Sequence, residues 1–512
     1  MKDRPNIVIV VADAVRAQNL PIYGYDQPTT PRISQLAAEA VRFNNAISAG
    51  EQTLSSTTSL FTGMYPSTHR LCVTGDKLNP GLHTLAAALK RGGYVTHCIN
   101  SNNPYVSPFT DLPRDFDEYV CSFPTLRRWI AELRGRRQAG NLARRDQARA
   151  ERDEQEATAE QPEPPAEVGA SEATWQGRLG NLLRWLMTRT TDAGAAKAFA
   201  AARRVLRQQP GNPPVFIYVH LMETHMLYLP PLGHWGLFLP DCAGRNPRRV
   251  NQNPLPLISG AVKMDALDFK IVEGLYNGAL HYTDRLFGRF FDDLRAEGLL
   301  ENTLLILTAD HGENFGEHGL LGHGQCVYDT VVRVPLLIWG PMLERRQRGA
   351  AIDHVVQSID LTVSCLDWAG TGNDPIREQL EGQALPLADD APAPRRYAVS
   401  ESTRAFERRH IPLLQELGLA QLGAVGVRSR THKMIWNTTG QEEFYDLVRD
   451  PAETRNLAED DTPERRKLRA TLEPLIPKFQ EAHAEQLRRL DEEAPMESDP
   501  QIEQRLRELG YL

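Results

Sequence analysis

Acidic and imidazole side chains follow three apolar runs of the chain, at points where buried strands are expected to end. Asp13 comes directly after the run NIVIVVA, Asp310 and His311 come shortly after LLILT, and His225 comes shortly after VFIYVH. In a sheet of parallel strands the carboxyl ends meet at one edge, where ligands bind. Carboxylate oxygens and an imidazole nitrogen are ligands that divalent metal ions accept. The sequence therefore predicts a metal site formed by Asp13, Asp310 and His311.

Each of these residues also has a simpler explanation. An aspartate after a strand most often caps a helix, and a histidine-rich turn is often only a polar loop. Asp13 and Asp310 nevertheless explain each other, because two carboxylates at neighbouring strand ends repel unless a cation lies between them. Gly312 permits a tight turn directly after Asp310 and His311. The identity of the ion stays open, since Mn, Zn, Ca and Mg all tolerate this donor set.

A hydroxyl-rich stretch, EQTLSSTTSLFTG at residues 51–63, is the candidate source of a nucleophile. Its end is typical of a short helix with Gly63 just beyond it, which places the hydroxyls near the helix N-terminus. A helix N-terminus favours negative charge, and a metal-coordinated hydroxyl loses its proton readily. That combination could convert an inert threonine of this stretch into a nucleophile. Ser55 and Ser56 are the next candidates, although we expect them to cap the helix instead.

The elements that must position these residues alternate between apolar strands and helices. This alternation predicts an α/β fold with a large, mostly parallel sheet covered by helices on both faces. Two regions break the pattern. Residues 126–173 are charged and rich in Pro, Ala and Glu, which predicts a partly disordered insertion. We expect a catalytic domain over residues 1–389 and a smaller C-terminal α+β subdomain with a charged helical tail over residues 390–512.

Composition limits the classes of partner. The chain has 512 residues and a formal net charge of −8, which argues against nucleic acid as the main partner. No apolar run is long enough to span a membrane, and the run near the N-terminus is too short for a signal sequence. The six cysteines show no CxxC spacing. We expect a cytoplasmic protein, in which the charged helix at residues 462–490 either mediates a homo-oligomer or is only solvated.

Several longer motifs resemble the sulfatase-like branch of the alkaline phosphatase superfamily. These are RPNIVIVVADAVRAQNLPIYGYDQPTTPRISQLAAEAVRFNNAIS, SLFTGMYPSTH, FIYVHLMETHMLYLPP, LTADHGENFGEHGLLGHGQCVYDTVVRVPLLIWG and EEFYDLVRDPAETRNLA. They occur in the order of the family and span nearly the whole chain outside residues 126–173. The resemblance implies the alkaline phosphatase-like fold and the hydrolysis of a small anionic ester.

The resemblance also implies roles for single residues. Asp13, Asp310 and His311 match the metal ligands of the family, and Thr53 falls at the nucleophile position when counted back from Thr62-Gly63. Thr53 is therefore expected to contact the metal as well.

Three further residues match functional positions of the family. His225 and His323 resemble residues that contact the transferred group or protonate the leaving oxygen. Arg16 resembles the arginine that follows the first metal ligand, and its expected role is to fix the nucleophile loop or an anionic oxygen.

Two departures from the family pattern determine the predicted reaction. Sulfatases carry Cys or Ser in a Cys-x-Pro-x-Arg signature that is oxidised to formylglycine, but here the stretch reads Thr53-Leu-Ser-Ser-Thr57, from which formylglycine is not available. Ala14 stands where the family often has a second acid, so we expect one divalent ion rather than two. The predicted function is metal-dependent hydrolysis of a phosphodiester, phosphonate or phosphomonoester through a covalent threonine intermediate.

Two alternatives remain open. The first is a sulfuric ester hydrolase, like an arylsulfatase, that works without formylglycine. The second is a catalytically silent member of the family that keeps the fold for binding or assembly.

Overall fold

The computed structural model describes residues 4–72, 76–122, 192–208, 213–341, 343, 347–387, 395–403 and 423–492. The insertion predicted at residues 126–173 and the predicted domain boundary at residue 389 lie outside these residues, so both stay predictions.

The chain forms one large sheet, a two-stranded sheet and a small four-stranded sheet in its described part. The strands in chain order are β1 (Asn6–Ala12), β2 (Val41–Ile47), β3 (Val95–Asn100), β4 (Glu118–Cys121), β5 (Val215–Leu221), β6 (Thr303–Thr308), β7 (Asn314–Phe315), β8 (Leu321–Gly322), β9 (Arg333–Val334), β10 (Leu336–Trp339), β11 (Ala351–Gln357), β12 (Ala398–Ser402), β13 (Ala424–Arg428), β14 (His432–Asn437) and β15 (Glu442–Asp446). The large sheet has the order β11-β2-β10-β6-β1-β5-β3-β4, with β9 paired to β2.

The large sheet is mixed but mostly parallel, as predicted. Strand β1 lies at its centre and pairs in parallel with β5 and β6, and only β9 and β10 run antiparallel to their neighbours. Every residue of β1, β5 and β6 is buried, so both faces of the central strands are covered. The register brings the carboxyl ends of these strands together, because Ala12 pairs with Leu221 and Val11 pairs with Thr308.

Helices pack on the sheet and on each other in two groups. In chain order they are α1 (Pro31–Leu36), α2 (Thr53–Thr62), α3 (Pro66–His69), α4 (Leu85–Arg91), α5 (Ala195–Gln208), α6 (Pro254–Ile258), α7 (Ala266–Ala296), α8 (Asp329–Val332), α9 (Ser358–Trp368), α10 (Pro463–Leu472) and α11 (Leu475–Glu492). Helix α7 packs against α1 and α5, and α2 packs against α9. Among the described helices, none combines the length and apolarity that crossing a bilayer requires.

The small C-terminal sheet is antiparallel, in the order β12-β13-β14-β15. One set of its side chains packs with α10 and α11, including Val425, Met434 and Phe479. A second set packs toward the large sheet, where Ile435 and Tyr445 share a cluster with residues 331–332 of α8 and with the end of β2. The small sheet is therefore in direct contact with segments that follow β2 and β6.

Candidate active site

Four of the residues predicted from the sequence meet at the carboxyl edge of the large sheet. The Thr53 hydroxyl oxygen lies 3.3 Å from Asp13 Oδ2 and 3.3 Å from His311 Nε2. His311 Nε2 lies 3.6 Å from Asp13 Oδ1 and 3.6 Å from Asp310 Oδ2. All four side chains are buried. We call Asp13, Asp310 and His311 the site cluster.

The backbone that holds this cluster depends on one close approach and one helix start. A Cβ atom at Gly312 would lie 2.3 Å from the carbonyl oxygen of Thr330, so only glycine fits after His311. Helix α2 begins at Thr53 and ends at Gly63, which has a φ of 71° in the left-handed region. The predicted helix with a terminal glycine is therefore present, and its positive N-terminal end lies at the Thr53 hydroxyl.

Asp13 is fixed from behind by two residues. His220 Nε2 donates to Asp13 Oδ2 at 3.0 Å, and the other ring nitrogen of His220 is 2.9 Å from the Tyr218 hydroxyl. Asn103 Nδ2 donates to the same carboxylate oxygen at 2.7 Å, while its Oδ1 accepts from the backbone N–H of Tyr105. With Oδ2 held in this way, the orientation of Asp13 Oδ1 is set by the fold.

The donor set of the site cluster fits a divalent cation. Within the described part of the chain, Asp13 Oδ1 and Asp310 Oδ2 are buried and accept no hydrogen bond. His311 Nδ1 donates to the carbonyl oxygen of Gly312 at 2.9 Å, so in the neutral ring the lone pair of Nε2 faces these oxygens. His220 Nε2 also lies within 4.8 Å of the Asp13 and Asp310 carboxylates, but the proton that it donates to Asp13 leaves it no lone pair for a metal ion. Buried carboxylate oxygens without partners are costly unless a cation binds them.

Burial and neighbouring charges act against each other at Asp13. Burial alone raises the pKa of this carboxyl, but the nearby His225 imidazole and the hydrogen bond from His220 outweigh it. The pKa of Asp13 is therefore held well below its usual value, and the group is a carboxylate at neutral pH.

His225 and His323 lie beside the site cluster. The ring of His323 is centred 4.1 Å from that of His311 and 5.1 Å from that of His225. His323 Nδ1 is 2.9 Å from Glu313 Oε1, and the Tyr228 hydroxyl donates to the other carboxylate oxygen at 2.6 Å. Burial lowers the pKa of His323 to about 3, with a contribution from His311, and burial raises the pKa of Glu313 to about 7. His323 is therefore placed beside the metal-ligand candidate His311, and His225 is placed beside His323.

Arg16 binds the segment after β6, and its expected role toward an anionic oxygen of the substrate stays a prediction. Its guanidinium donates to Glu317 Oε1 at 2.7 Å and to the carbonyl oxygen of Glu313 at 3.0 Å, and it lies over the Phe315 ring. These contacts fix the segment after β6, not the loop before Thr53. Arg16 is drawn to this segment because the acidic Glu317 lies close enough to form an ion pair with it.

The other hydroxyls at the start of α2 are held by the backbone. Ser55 and Ser56 both donate to the carbonyl oxygen of Gln52, at 3.2 and 2.6 Å. The expectation that they cap the helix is wrong, because both lie inside α2, the N-cap position is Gln52, and both hydroxyls donate to a carbonyl. Thr58 likewise donates to the carbonyl oxygen of Leu54 at 2.6 Å.

Sequence reasoning missed His220 and Asn103. His220 lies inside the apolar run of β5, where we read it as the end of a strand and looked for ligands after it. Asn103 lies just after β3, so the rule that selected Asp13 also applies to it. Both would have been found if every polar residue at a strand end had been considered.

Two family models and a curated relative match most of the chain. The family model described as Sulfatase matches residues 5–371, and the model described as N-sulphoglucosamine sulphohydrolase, C-terminal, matches residues 316–482. An arylsulfatase of Clostridium perfringens is 24% identical over 476 residues, which cover 89% of this chain and 90% of that protein.

Solved structures share the fold. The crystal structure of a phosphonate monoester hydrolase of Agrobacterium radiobacter has a TM-score of 0.61 and 21% identity, with 94% of this chain and 96% of that chain covered. A second solved structure shows a protein in complex with its substrate D-glucosamine-2-N,6-O-disulfate. It has a TM-score of 0.65 and 18% identity, and the match covers 93% of this chain and 98% of that chain. The chain therefore belongs to the sulfatase family, in the sulfatase-like branch of the alkaline phosphatase superfamily, and is an ester hydrolase.

Proposed function

We propose that the chain is a metal-dependent hydrolase of phosphate-type esters, with Thr53 as the nucleophile. The observation that carries this proposal is the position of the Thr53 hydroxyl, 3.3 Å from both Asp13 Oδ2 and His311 Nε2 at the start of α2. Asp13, Asp310, His311 and Thr53 would hold one divalent ion, which when bound would polarise an ester oxygen and favour the ionised form of a hydroxyl.

The side chains of the chain account for the remaining steps. The Thr53 hydroxyl donates toward Asp13 Oδ2, so this carboxylate oxygen is the acceptor for the proton that Thr53 loses. As the bond from Thr53 Oγ1 to phosphorus forms, the bond from phosphorus to the leaving oxygen breaks. That oxygen takes its proton from His225, or from His323, which shares a proton with Glu313 across the 2.9 Å contact of Nδ1 with Oε1. Water then attacks phosphorus and the bond from phosphorus to Thr53 Oγ1 breaks. The water gives a proton to the histidine that lost one, and Thr53 Oγ1 regains the proton that it had passed toward Asp13 Oδ2. The N-terminus of α2 favours the negative charge throughout.

Phosphate is preferred to sulfate in this proposal because of the nucleophile itself. A threonine can form a phosphoryl ester directly, while the formylglycine of sulfatases requires Cys or Ser at this position. The names of the similar proteins do not decide between phosphate-type and sulfate esters, since they include an arylsulfatase and a phosphonate monoester hydrolase. Hydrolysis of a sulfuric ester by unmodified Thr53 is therefore the second candidate.

A panel of substrates separates these candidates. The enzyme is freed of metal with a chelator and reconstituted separately with Mn²⁺, Zn²⁺, Ca²⁺ or Mg²⁺, then assayed on aryl phosphate mono- and diesters, an aryl phosphonate ester and an aryl sulfate. We expect metal-dependent turnover that is highest on a phosphate-type ester. Mass spectrometry of acid-quenched reactions should find a phosphoryl group on the peptide that contains Thr53.

Three results would contradict the proposal. Highest turnover on the aryl sulfate would favour the second candidate. Full turnover in excess chelator would show that the reaction does not need a metal ion. A protein without bound metal and without turnover would be the silent family member, although such a member has no physical need for the two facing carboxylates of the site cluster.

A further inference from the structure

Helix α8 is hydrogen-bonded to both segments that build the active site. Its consecutive carbonyls at residues 330, 331 and 332 accept from the backbone N–H groups of Glu313, Gly312 and Ser48, at N···O distances of 3.0, 2.6 and 2.7 Å. Glu313 and Gly312 directly follow His311, and Ser48 lies in the loop that leads to Thr53. The position of α8 therefore sets the metal-ligand segment and the nucleophile loop relative to each other.

A buried group of four charged residues holds the start of α8. Lys433 Nζ lies 3.0 Å from Asp329 Oδ1 and 2.9 Å from Glu453 Oε1, and Arg428 lies 2.9 Å from Asp329 Oδ2. Glu453 also accepts from the backbone N–H of Asp329 at 2.6 Å. We call Asp329, Arg428, Lys433 and Glu453 the anchor cluster.

The anchor cluster joins the small sheet to the large one. Arg428 and Lys433 come from β13 and β14, and Glu453 comes from the segment after β15. Arg428 also donates to Asn45 Oδ1 of β2 at 3.1 Å. All four side chains are buried, with two positive and two negative charges. In a low-dielectric interior such a balanced group tolerates little displacement of its members.

Side-chain contacts between the two loops reinforce this arrangement. The Ser48 hydroxyl donates to the carbonyl oxygen of Asp310 at 2.5 Å, and Thr330 donates to Asn314 Oδ1 at 2.7 Å. A shift of α8 would therefore move the nucleophile loop and the ligand segment together with it, but not by the same amount, since each has its own strand behind it.

We infer that the anchor cluster positions the active site, and that Lys433 is a positioning residue through its ion pairs with Asp329 and Glu453. Through α8, the C-terminal sheet sets the distance between the Thr53 hydroxyl and the site cluster. The inference rests on the proposed function for its catalytic consequence, but its structural part stands independently. It gives a use to the motif YDLVRDPAETRNLA, whose Glu453 is a member of the cluster.

Lys433→Met tests this role, because methionine fills the space of the lysine stem without its charge. Hydrogen–deuterium exchange of the full-length protein in chelator measures the amides of Ser48, Gly312 and Glu313, which donate to α8. We expect these amides to exchange at least about 10-fold faster in the variant. With Mn²⁺ and an aryl phosphate diester, kcat should fall about 10- to 100-fold while KM changes little.

Asp284→Asn is the matched control. Asp284 is also a buried carboxylate, but it accepts from the backbone N–H groups of Arg32 and Ile33 at the start of α1. Among the described residues, its hydrogen bonds join no member of either cluster. Conditions are chosen so that both variants are fully folded by circular dichroism. The control should leave the exchange of the three amides and kcat unchanged.

The outcomes are distinct. Lys433→Met with a lower melting temperature but unchanged exchange and unchanged kcat would overturn the inference, because the cluster would then be purely structural. If the wild-type protein hydrolyses none of the esters, the proposed function fails, but the exchange rates still decide whether the cluster positions the two segments.

A second variant keeps the test decisive if Lys433→Met does not fold. The double variant Lys433→Met/Glu453→Gln restores the charge balance and keeps an acceptor for the Asp329 N–H group. It should fold, and the three amides should again exchange faster than in the wild type, because the lysine link is still missing. Wild-type exchange and wild-type kcat in this variant would overturn the inference.

Discussion

Helix α8 lies between two buried charged clusters that differ in how their carboxylates are satisfied. In the anchor cluster, both oxygens of Asp329 are bound by Arg428 and Lys433. In the site cluster, Asp13 Oδ1 and Asp310 Oδ2 are equally buried but accept no hydrogen bond within the described chain. Buried charge is tolerated when it is paired within the protein, and otherwise it calls for a ligand. Each carboxylate of the anchor cluster thus has a cationic side chain within 3.0 Å, although Glu453 Oε1 meets Lys433 as an ion pair without a well-aligned hydrogen bond. The site cluster has two facing carboxylates with no Lys or Arg paired to them among the described residues, and it is suited to a cation.

Removal of the nucleophile should give the largest effect. Thr53→Val keeps the shape of the side chain and removes the hydroxyl, so kcat should fall by about 10⁴-fold or more. Thr58→Val is the control, because Thr58 is a buried threonine of the same helix whose hydroxyl only binds the carbonyl oxygen of Leu54. Steady-state kinetics on the best ester of the panel measure both. Near-full turnover in Thr53→Val would exclude Thr53 from the mechanism.

Breaking the anchor cluster should give the largest loss of stability. Asp329→Asn leaves Arg428 and Lys433 with one carboxylate, so the free energy of unfolding should fall by about 3–5 kcal/mol. Urea denaturation measures the change. The exposed ion pair of Asp292 with Arg32 is the control, and Asp292→Asn should change stability by less than about 1 kcal/mol. Equal losses in the two variants would show that burial and pairing of the anchor cluster do not distinguish it from the surface.

The sequence predicts those features of the site cluster that depend on local patterns. Asp13, Asp310 and His311 each follow an apolar run, and the chain continues from a buried strand directly into the ligand. The local pattern predicted the helix that ends before Gly63, whereas the choice of Thr53 among its hydroxyls came from the family resemblance. Strand β1 has the predicted bounds, Asn6–Ala12.

The rest depends on contacts between distant segments. Arg16 pairs with Glu317, about 300 residues further along the chain, and nothing local distinguishes that partner from an anionic substrate. The anchor cluster brings Asp329 against Lys433 and Glu453 through the packing of a second sheet. The run VPLLIW looks like one strand, but Pro335 has no N–H group to donate, and the structure divides the run into β9 and β10.

The support of Asp13 should have an intermediate effect. Asn103→Leu removes one of the two donors that fix Asp13 Oδ2 from behind and leaves only His220 there. The carboxylate is then less well oriented, so affinity for the divalent ion should fall about 10- to 100-fold. Asn277→Leu is the control, since Asn277 is equally buried but binds Asn19 and Tyr25 beside α7. Calorimetric titration of metal-free protein with Mn²⁺ measures the affinity. Equal affinities in Asn103→Leu and the wild type would mean that the orientation of Asp13 does not depend on this bond.

Removal of one charge from the site cluster should have the smallest effect, and one of opposite sign. Asp310→Asn keeps an acceptor for the backbone N–H groups of Ala14 and His311, which Asp310 Oδ1 now serves. It also removes one of two facing carboxylates. In chelator, the free energy of unfolding should therefore rise by about 1 kcal/mol, because a buried charge without a partner is lost and the new amide donates to Asp13. With added Mn²⁺ the wild type should instead be more stable than Asp310→Asn, since the wild type gains binding free energy that the variant lacks. If Asp310→Asn instead loses as much stability in chelator as Asp329→Asn, the two clusters are equivalent, and the unpaired oxygens at the sheet edge do not indicate a cation.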